Sequence, residues 1–219
     1  MQRQLVEFVG TFIFLLVIAM TAPTGSVITP IGIGCALMAM VYMGGHASGA
    51  HYNPAVSTAL LLRGKITPET WFSYVITQIL AGLAAFGIGF WVTGNTTSIA
   101  PSVDVSKAVV VEALFTFALC MVVLNVATIR ATAGNSFYGI AIGFIIAAAI
   151  FAGGGISGGA FNPAVGIGAT FVHVMQGNGS WQHVWIYIVG PLAGAVLAAL
   201  LFKVCMSADE QGLEGEKSG

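Results

Sequence analysis

Charged residues are scarce in this chain of 219 residues. Seven Lys and Arg and eight Asp and Glu make up 7% of the sequence, whereas hydrophobic residues make up 57%. In soluble domains about a quarter of all residues are charged, so this composition excludes a soluble globular domain. The three cysteines lie in apolar stretches and are odd in number, so no disulfide framework is indicated. The four histidines have no metal-binding spacing, and nothing indicates a cofactor or nucleic-acid binding.

The apolar residues fall into six stretches of the length that crosses a membrane, which is about 20 residues. We predict spans at residues 5–21, 30–45, 71–92, 108–129, 137–153 and 183–204. An even number of spans puts both termini on one side. Six of the seven basic residues fall on that side, and only Lys107 lies opposite. This bias predicts a multi-pass protein of the plasma (inner) membrane with both termini in the cytoplasm.

A nine-residue segment occurs twice. Residues 48–56 (SGAHYNPAV) recur as residues 157–165 (SGGAFNPAV), with six positions identical and a displacement of 109. The pattern Glu-x-x-x-Thr recurs from Glu7 to Glu112. Each copy holds three spans, so the second copy must be inverted. We predict one domain over 1–206, with inverted repeats at about 5–92 and 108–204, and a disordered cytoplasmic tail at 207–219.

Each Asn-Pro-Ala predicts the start of a short helix, because Asn is a favoured N-cap and Pro a favoured first helical residue. Nine apolar residues follow Asn53 (54–62) and nine follow Asn162 (163–171). Nine residues reach about 13 Å, roughly half the hydrocarbon core. The two half-helices should enter from opposite sides and meet at the midplane. We expect the glycine-rich approaches at 44–49 and 153–159 to be extended.

Two helix N-termini that meet would direct their positive dipole ends at one spot. If each Asn oxygen caps its own helix, both NH₂ groups of Asn53 and Asn162 stay free to donate into a lumen. A water bound to both directs its hydrogens outward, which interrupts proton hopping, and the dipoles repel cations. The pattern predicts a pore that passes neutral molecules and excludes ions.

These motifs resemble the aquaporin, or major intrinsic protein, family, and residues 45–56 are similar to its first signature nearly residue for residue. The resemblance covers about residues 7–202. It implies an all-α membrane fold with six transmembrane helices and two re-entrant half-helices. It also implies a homotetramer in which each subunit is a passive channel for water and small uncharged solutes. A protein of this kind is not an enzyme. Small residues at 82–89 are expected to face lipid and to allow close helix packing.

The resemblance also assigns site residues. Glu7 and Glu112 would brace the re-entrant loops by accepting backbone N–H bonds, and the His51 ring would hold the first loop. The pore Asn-Pro-Ala residues are Asn53, Pro54, Ala55, Asn162, Pro163 and Ala164. The pore-facing backbone carbonyls are those of Ala50, His51, Tyr52, Gly158 and Ala160. The outer selectivity filter is Ile33, Ile150, Gly159 and Val165.

The filter is where this chain departs from the family, because most members carry arginine at the position of Val165. The departure implies a wider, apolar constriction, as in similar plant vacuolar channels. Ammonia, urea, hydrogen peroxide, glycerol or metalloid acids could then pass beside water. The glycerol-facilitator branch fits less well, since its second motif usually continues with Arg-Asp where this chain has Val165-Gly166. Three alternatives stay open: an apolar ring that dewets and closes, an ion- or proton-coupled secondary transporter, and an adhesive protein.

Overall fold

The computed structural model describes residues 1–101 and 104–205, and these residues form eight α-helices and no strand. The predicted tail at 207–219 lies outside the described residues. The helices are α1 (Gln2–Thr21), α2 (Thr29–Ser48), α3 (Pro54–Leu62), α4 (Pro68–Thr93), α5 (Val105–Thr128), α6 (Tyr138–Ser157), α7 (Pro163–Met175) and α8 (Ile186–Cys205). All except α3 and α7 are long and apolar enough to cross a membrane, which confirms six spans.

The predicted span limits agree with the helices to within a few residues, but α2 and α6 continue further. They end at Ser48 and Ser157, so most of each glycine-rich approach is helical and the prediction of extended backbone there was wrong. A Cβ on Gly44 would lie 2.8 Å from Val6 Cγ1, and one on Gly153 would lie 2.7 Å from Val111 Cγ1. These glycines therefore allow close helix packing, which outweighs their low helix propensity of about 1 kcal/mol.

The two repeats are interleaved. Within each half, α1 packs against α2 and α4, and α5 packs against α6 and α8. The halves meet where α2 packs against α6, and each half-helix packs against a helix of the other half: α3 against α8, and α7 against α4. The short helices are thereby enclosed by full-length ones, which is how a re-entrant segment is tolerated at membrane depth.

Glycines make the closest crossings between the halves. A Cβ on Gly34 in α2 would lie 2.6 Å from the Gly143 carbonyl oxygen in α6. A Cβ on Gly82 in α4 would lie 2.8 Å from the Ala164 carbonyl oxygen in α7. Gly82 is therefore buried inside the fold, and our expectation that it faces lipid was wrong. The outward face instead consists of large apolar side chains: Leu80, Phe144, Leu197 and Leu200 are 54–58% exposed.

Candidate functional site at the paired half-helix ends

Asn53 and Asn162 cap the two half-helices. The Oδ1 of Asn53 accepts from the Ala55 N–H at 2.8 Å, and that of Asn162 accepts from the Ala164 N–H at 2.9 Å. In both caps the backbone is extended and Pro is the first helical residue, the arrangement that the sequence predicts. Both side chains are nearly buried, with exposures of 5% and 2%.

The second half-helix is longer than predicted. α3 ends at Leu62 as expected, but α7 continues to Met175 and has 13 residues. In each case the helix ends two residues before a glycine with positive φ, Gly64 at +75° and Gly177 at +74°. Glycine adopts this conformation at helix C-termini without a steric penalty. The position of Gly177 therefore explains the extra turn, and it was the sequence signal that we missed.

Reciprocal hydrogen bonds join the two loops at the midplane. The Nδ2 of Asn53 donates to the Phe161 carbonyl at 2.9 Å, and the Nδ2 of Asn162 donates to the Tyr52 carbonyl at 2.9 Å. An amide NH₂ has two hydrogens, so each Asn keeps one for a molecule in the lumen rather than the two we predicted. The Tyr52 carbonyl, predicted as a pore acceptor, accepts one of these two bonds and so helps to hold the loops together.

Glu7 is fully buried and binds the first loop. Its Oε1 accepts from the His51 N–H at 2.9 Å and from Ser48 Oγ at 2.7 Å. Its Oε2 accepts from the Tyr52 N–H at 2.9 Å and from Gln78 Nε2 at 2.9 Å. These four donors satisfy a carboxylate that would otherwise be costly at membrane depth, and they are the contacts that a bracing role requires.

Glu112 binds the second loop in the same way but with three donors. It accepts from the Ala160 N–H at 3.0 Å, the Phe161 N–H at 2.6 Å and Ser157 Oγ at 2.7 Å. Among the described residues no glutamine bonds it, and Gly190 of α8 packs directly onto its Cβ: a Cβ on Gly190 would lie 2.7 Å away. The two loops are therefore similar in backbone and unequal in their support.

The braced backbone adopts strained conformations. Ala50, Tyr52 and Phe161 have φ values of +51°, +50° and +48°, and Gly159 has +69°. A left-handed conformation costs an L-residue roughly 1–2 kcal/mol, and such residues persist where the surroundings fix them. The Glu7 and Glu112 bonds at these loops supply that constraint. Ala50 and Gly159 occupy equivalent positions in the two repeats. The first loop therefore has an alanine in the left-handed conformation where the second loop has a glycine.

Two tyrosines and the His51 ring complete the loops. Tyr74 donates to the Ser48 carbonyl at 2.8 Å, and Tyr187 donates to the Ser157 carbonyl at 2.6 Å. The Nδ1 of His51 lies 3.0 Å from Ser57 Oγ, and its ring packs edge-on against Tyr74. We missed both tyrosines and Gln78 in the sequence. Their signal was a polar group inside an apolar span: Tyr74 and Gln78 lie four residues apart on one face of α4, and Tyr187 lies in α8.

The path to the paired Asn side chains narrows sharply. On the side of Arg3 lies an open vestibule of about 980 Å³. At Asn53 and Asn162 the cavity is only about 20 Å³, and a site needs about 10–15 Å³ to hold one water. His51 and apolar side chains such as Phe14 and Leu119 also line it. This site therefore accommodates about one water between two amide donors.

The predicted outer filter lies elsewhere. Ile33 and Val165 are 3% and 2% exposed, and Ile150 and Gly159 are half-buried. None of the four lines the vestibule or the narrow cavity. Val165 follows Ala164 in the first turn of α7, and its side chain is almost inaccessible to water. Among the described residues, the structure thus brings the Asn pair together but does not assemble these four around either cavity.

Two inverted three-helix units with capped half-helices meeting between them define a multi-pass membrane protein with a narrow midplane site. The Major intrinsic protein family model matches residues 1–202. The chain belongs to this family, whose members are channels and not enzymes, and the predicted family and fold are confirmed. The transporter alternative gains no support from any comparison.

The relatives include bacterial and plant proteins. Glycerol uptake facilitator protein-like 6 of Lactiplantibacillus plantarum is 34% identical over 95% of this chain and 100% of its own length. Aquaporin TIP1-2 of Musa acuminata is 38% identical over 83% of this chain and 72% of its own. The aquaglyceroporin of Plasmodium falciparum, at 21% identity, superposes with a TM-score of 0.81 over 93% of this chain and 96% of its own, which shows the shared fold.

Proposed function

We propose that this protein is a passive channel that carries water and small uncharged solutes across a membrane through the site between Asn53 and Asn162. The main observation behind this proposal is the pair of capped half-helix ends, each of which binds the loop of the other. Each amide keeps one hydrogen for a permeating oxygen, and each helix directs its positive end at the same point. A neutral molecule with an acceptor is stabilised there, whereas a cation is repelled.

The solutes we propose beside water are ammonia, urea, hydrogen peroxide, glycerol and metalloid acids. Val165 supports this range, because an arginine there would add charge and bulk to the outer constriction. The names of the relatives point both to water and to glycerol uptake. Ile33, Ile150, Gly159 and Val165 are proposed as the outer filter. The carbonyls of Ala50, His51, Tyr52, Gly158 and Ala160 are proposed as acceptors along the pore.

The arrangement in the membrane is also a proposal. Arg3, Lys65 and Arg130 all line the wide vestibule, and the rule that basic residues stay inside makes this the cytoplasmic face. Both termini would lie there, in a plasma (inner) membrane. We propose one channel domain over 1–206 and, as in the family resemblance, a homotetramer with a pore in each subunit.

Stopped-flow light scattering of proteoliposomes tests the channel. In an impermeant osmolyte, vesicles with the protein should shrink faster than empty vesicles. In urea or glycerol they should first shrink and then re-swell as the solute enters. Uptake should be unchanged when sodium and proton gradients are collapsed, which distinguishes a channel from a coupled transporter. Equal water and solute permeabilities in protein-containing and empty vesicles would refute the proposal, provided the reconstituted protein is folded by circular dichroism.

A further inference from the structure

The duplication gives every outer filter position a counterpart in the other half. A displacement of 109 residues relates Ile33 to Ile142 and Gly159 to Ala50. The same displacement relates Val165 to Val56 and Ile150 to Val41. The counterparts have the same chemistry, because each is an apolar residue that is β-branched or small. An inverted repeat should therefore place a second apolar constriction on the opposite side of the Asn pair.

The cavities identify where this second constriction lies. Four residues line both the wide vestibule and the narrow cavity, and so stand where one leads into the other: Ala50, His51, Val123 and Ile142. We call these four residues the neck. Two of them, Ala50 and Ile142, are counterparts of the outer filter positions. The cavity volume falls from about 980 to about 20 Å³ across the neck.

One wall of the neck is fixed by the loop. Ala50 has a φ of +51°, and its N–H donates to Ser48 Oγ at 3.0 Å. The next N–H, that of His51, donates to Glu7. The His51 ring is itself held by Ser57 Oγ and by Tyr74. Because hydrogen bonds hold this wall at its backbone and at its ring, moving it aside for a larger solute would break them.

The other two neck residues are Val123 and Ile142, whose β-branched side chains have restricted χ1 rotation. They are 7% exposed each and offer no hydrogen bond to replace those a solute loses with its water. The neck also carries a methyl group at Ala50 where the outer position has Gly159. This methyl group narrows the neck at the loop relative to the equivalent outer position.

We propose that the neck, and Ile142 and Val123 in particular, sets the largest solute that this channel admits. The inference deepens the proposed function and rests on it. A solute broader than water must pass the side chains of Ile142 and Val123 beside a wall that hydrogen bonds hold in place. The energy barrier at the neck should therefore rise with each carbon that the solute adds. The outer filter without arginine would then contribute less to size selection than the neck.

The matched pair Ile33 and Ile142 provides the test. Ile142→Ala should raise glycerol permeability, relative to water permeability, about tenfold, the low end of the discrimination that a single methylene gives at a fitted site. Ile33→Ala, the same change at the equivalent outer position, should raise it much less. Val123→Phe should lower glycerol permeability by a larger factor than it lowers water permeability. Ile142→Val is the milder variant should the alanine variant fail to fold, and it should shift the ratio in the same direction.

The failures are distinguishable. If the parent passes water but Ile142→Ala and Ile142→Val leave the glycerol-to-water ratio unchanged, the neck assignment is wrong and the channel stands. If Ile33→Ala raises the ratio as much as Ile142→Ala does, the neck is not the dominant constriction and the inference is likewise overturned. If the folded parent passes no water, the proposed function fails and the inference fails with it.

Discussion

Removing the Glu112 carboxylate tests the bracing of the second loop. Glu112→Ala deletes the acceptor of the Ala160 and Phe161 N–H groups and leaves both without a partner in a buried loop. A buried donor without a partner costs about 1–3 kcal/mol, so the two together destabilise the folded state by about 2–6 kcal/mol. For a chain of this size, each kcal/mol lowers the Tm by about 2–4 °C. The expected drop in Tm is therefore on the order of 10 °C.

Thermal unfolding in a mild detergent, followed by tryptophan fluorescence, measures this drop. Glu112→Gln is the matched control, because its amide oxygen still accepts one of the two backbone N–H bonds. It should lose about half as much. We also expect the folded yield of Glu112→Ala to fall, while the remaining folded protein keeps the parent's preference between water and urea.

Two results would refute the reasoning. One is a Glu112→Ala protein with the parent's Tm, which would mean that the two N–H groups find other partners at no cost. The other is a well-folded Glu112→Ala protein with altered selectivity between water and urea. That outcome would place the carboxylate in the permeation path rather than in the support of the loop.

Three further predictions concern the pore and its supports. Val165→Arg should suppress urea and glycerol permeation more than water in stopped-flow shrinkage assays, and identical shrinkage of mutant and parent would show that the outer filter is misassigned. Asn53→Asp keeps an N-cap acceptor but replaces the amide donor with negative charge, so proton flux into vesicles, read with a pH-sensitive dye, should rise; an unchanged flux would argue against exclusion at this point. Tyr187→Phe removes the 2.6 Å bond to the Ser157 carbonyl and should lower the Tm by a few degrees, for about 1 kcal/mol, without changing permeability; a permeability change would give Tyr187 a role in conduction.

The positions of the helices and caps could be predicted because local sequence determines them. Asn-Pro at 53–54 and at 162–163 meets the steric and hydrogen-bonding requirements of a helix start. Length and hydrophobicity alone gave the six spans. The helical glycines at 44 and 153 could not be predicted, because glycine is a poor helix former and only its neighbours in space reverse that preference. The backbone of these glycines packs against Val6 and Val111. No local sequence pattern indicates such a contact.

The cross-loop bonds were beyond prediction for a related reason. The sequence indicated that Asn53 and Asn162 meet, but the use of one amide hydrogen by the opposite carbonyl depends on how closely the loops approach. The left-handed backbone at Tyr52 and Phe161 aims those carbonyls at the partner Asn. Non-glycine residues rarely adopt this conformation, so the sequence pattern argued against it. Among the described residues, the non-glycine residues that adopt it all lie in the two loops that Glu7 and Glu112 bind.

The unequal braces connect the fold to selection. The first loop has an extra donor to its glutamate, Gln78, which also donates to Ser57 Oγ at 3.1 Å, and Ser57 in turn holds the His51 ring. In the described part of the second loop's surroundings, Gly190 packs against the Glu112 Cβ and no glutamine makes such a cross-link. Rigidity is therefore concentrated on the side where the vestibule narrows. A constriction discriminates by size only when its walls resist displacement, so the better-braced half is the one equipped to set the size limit.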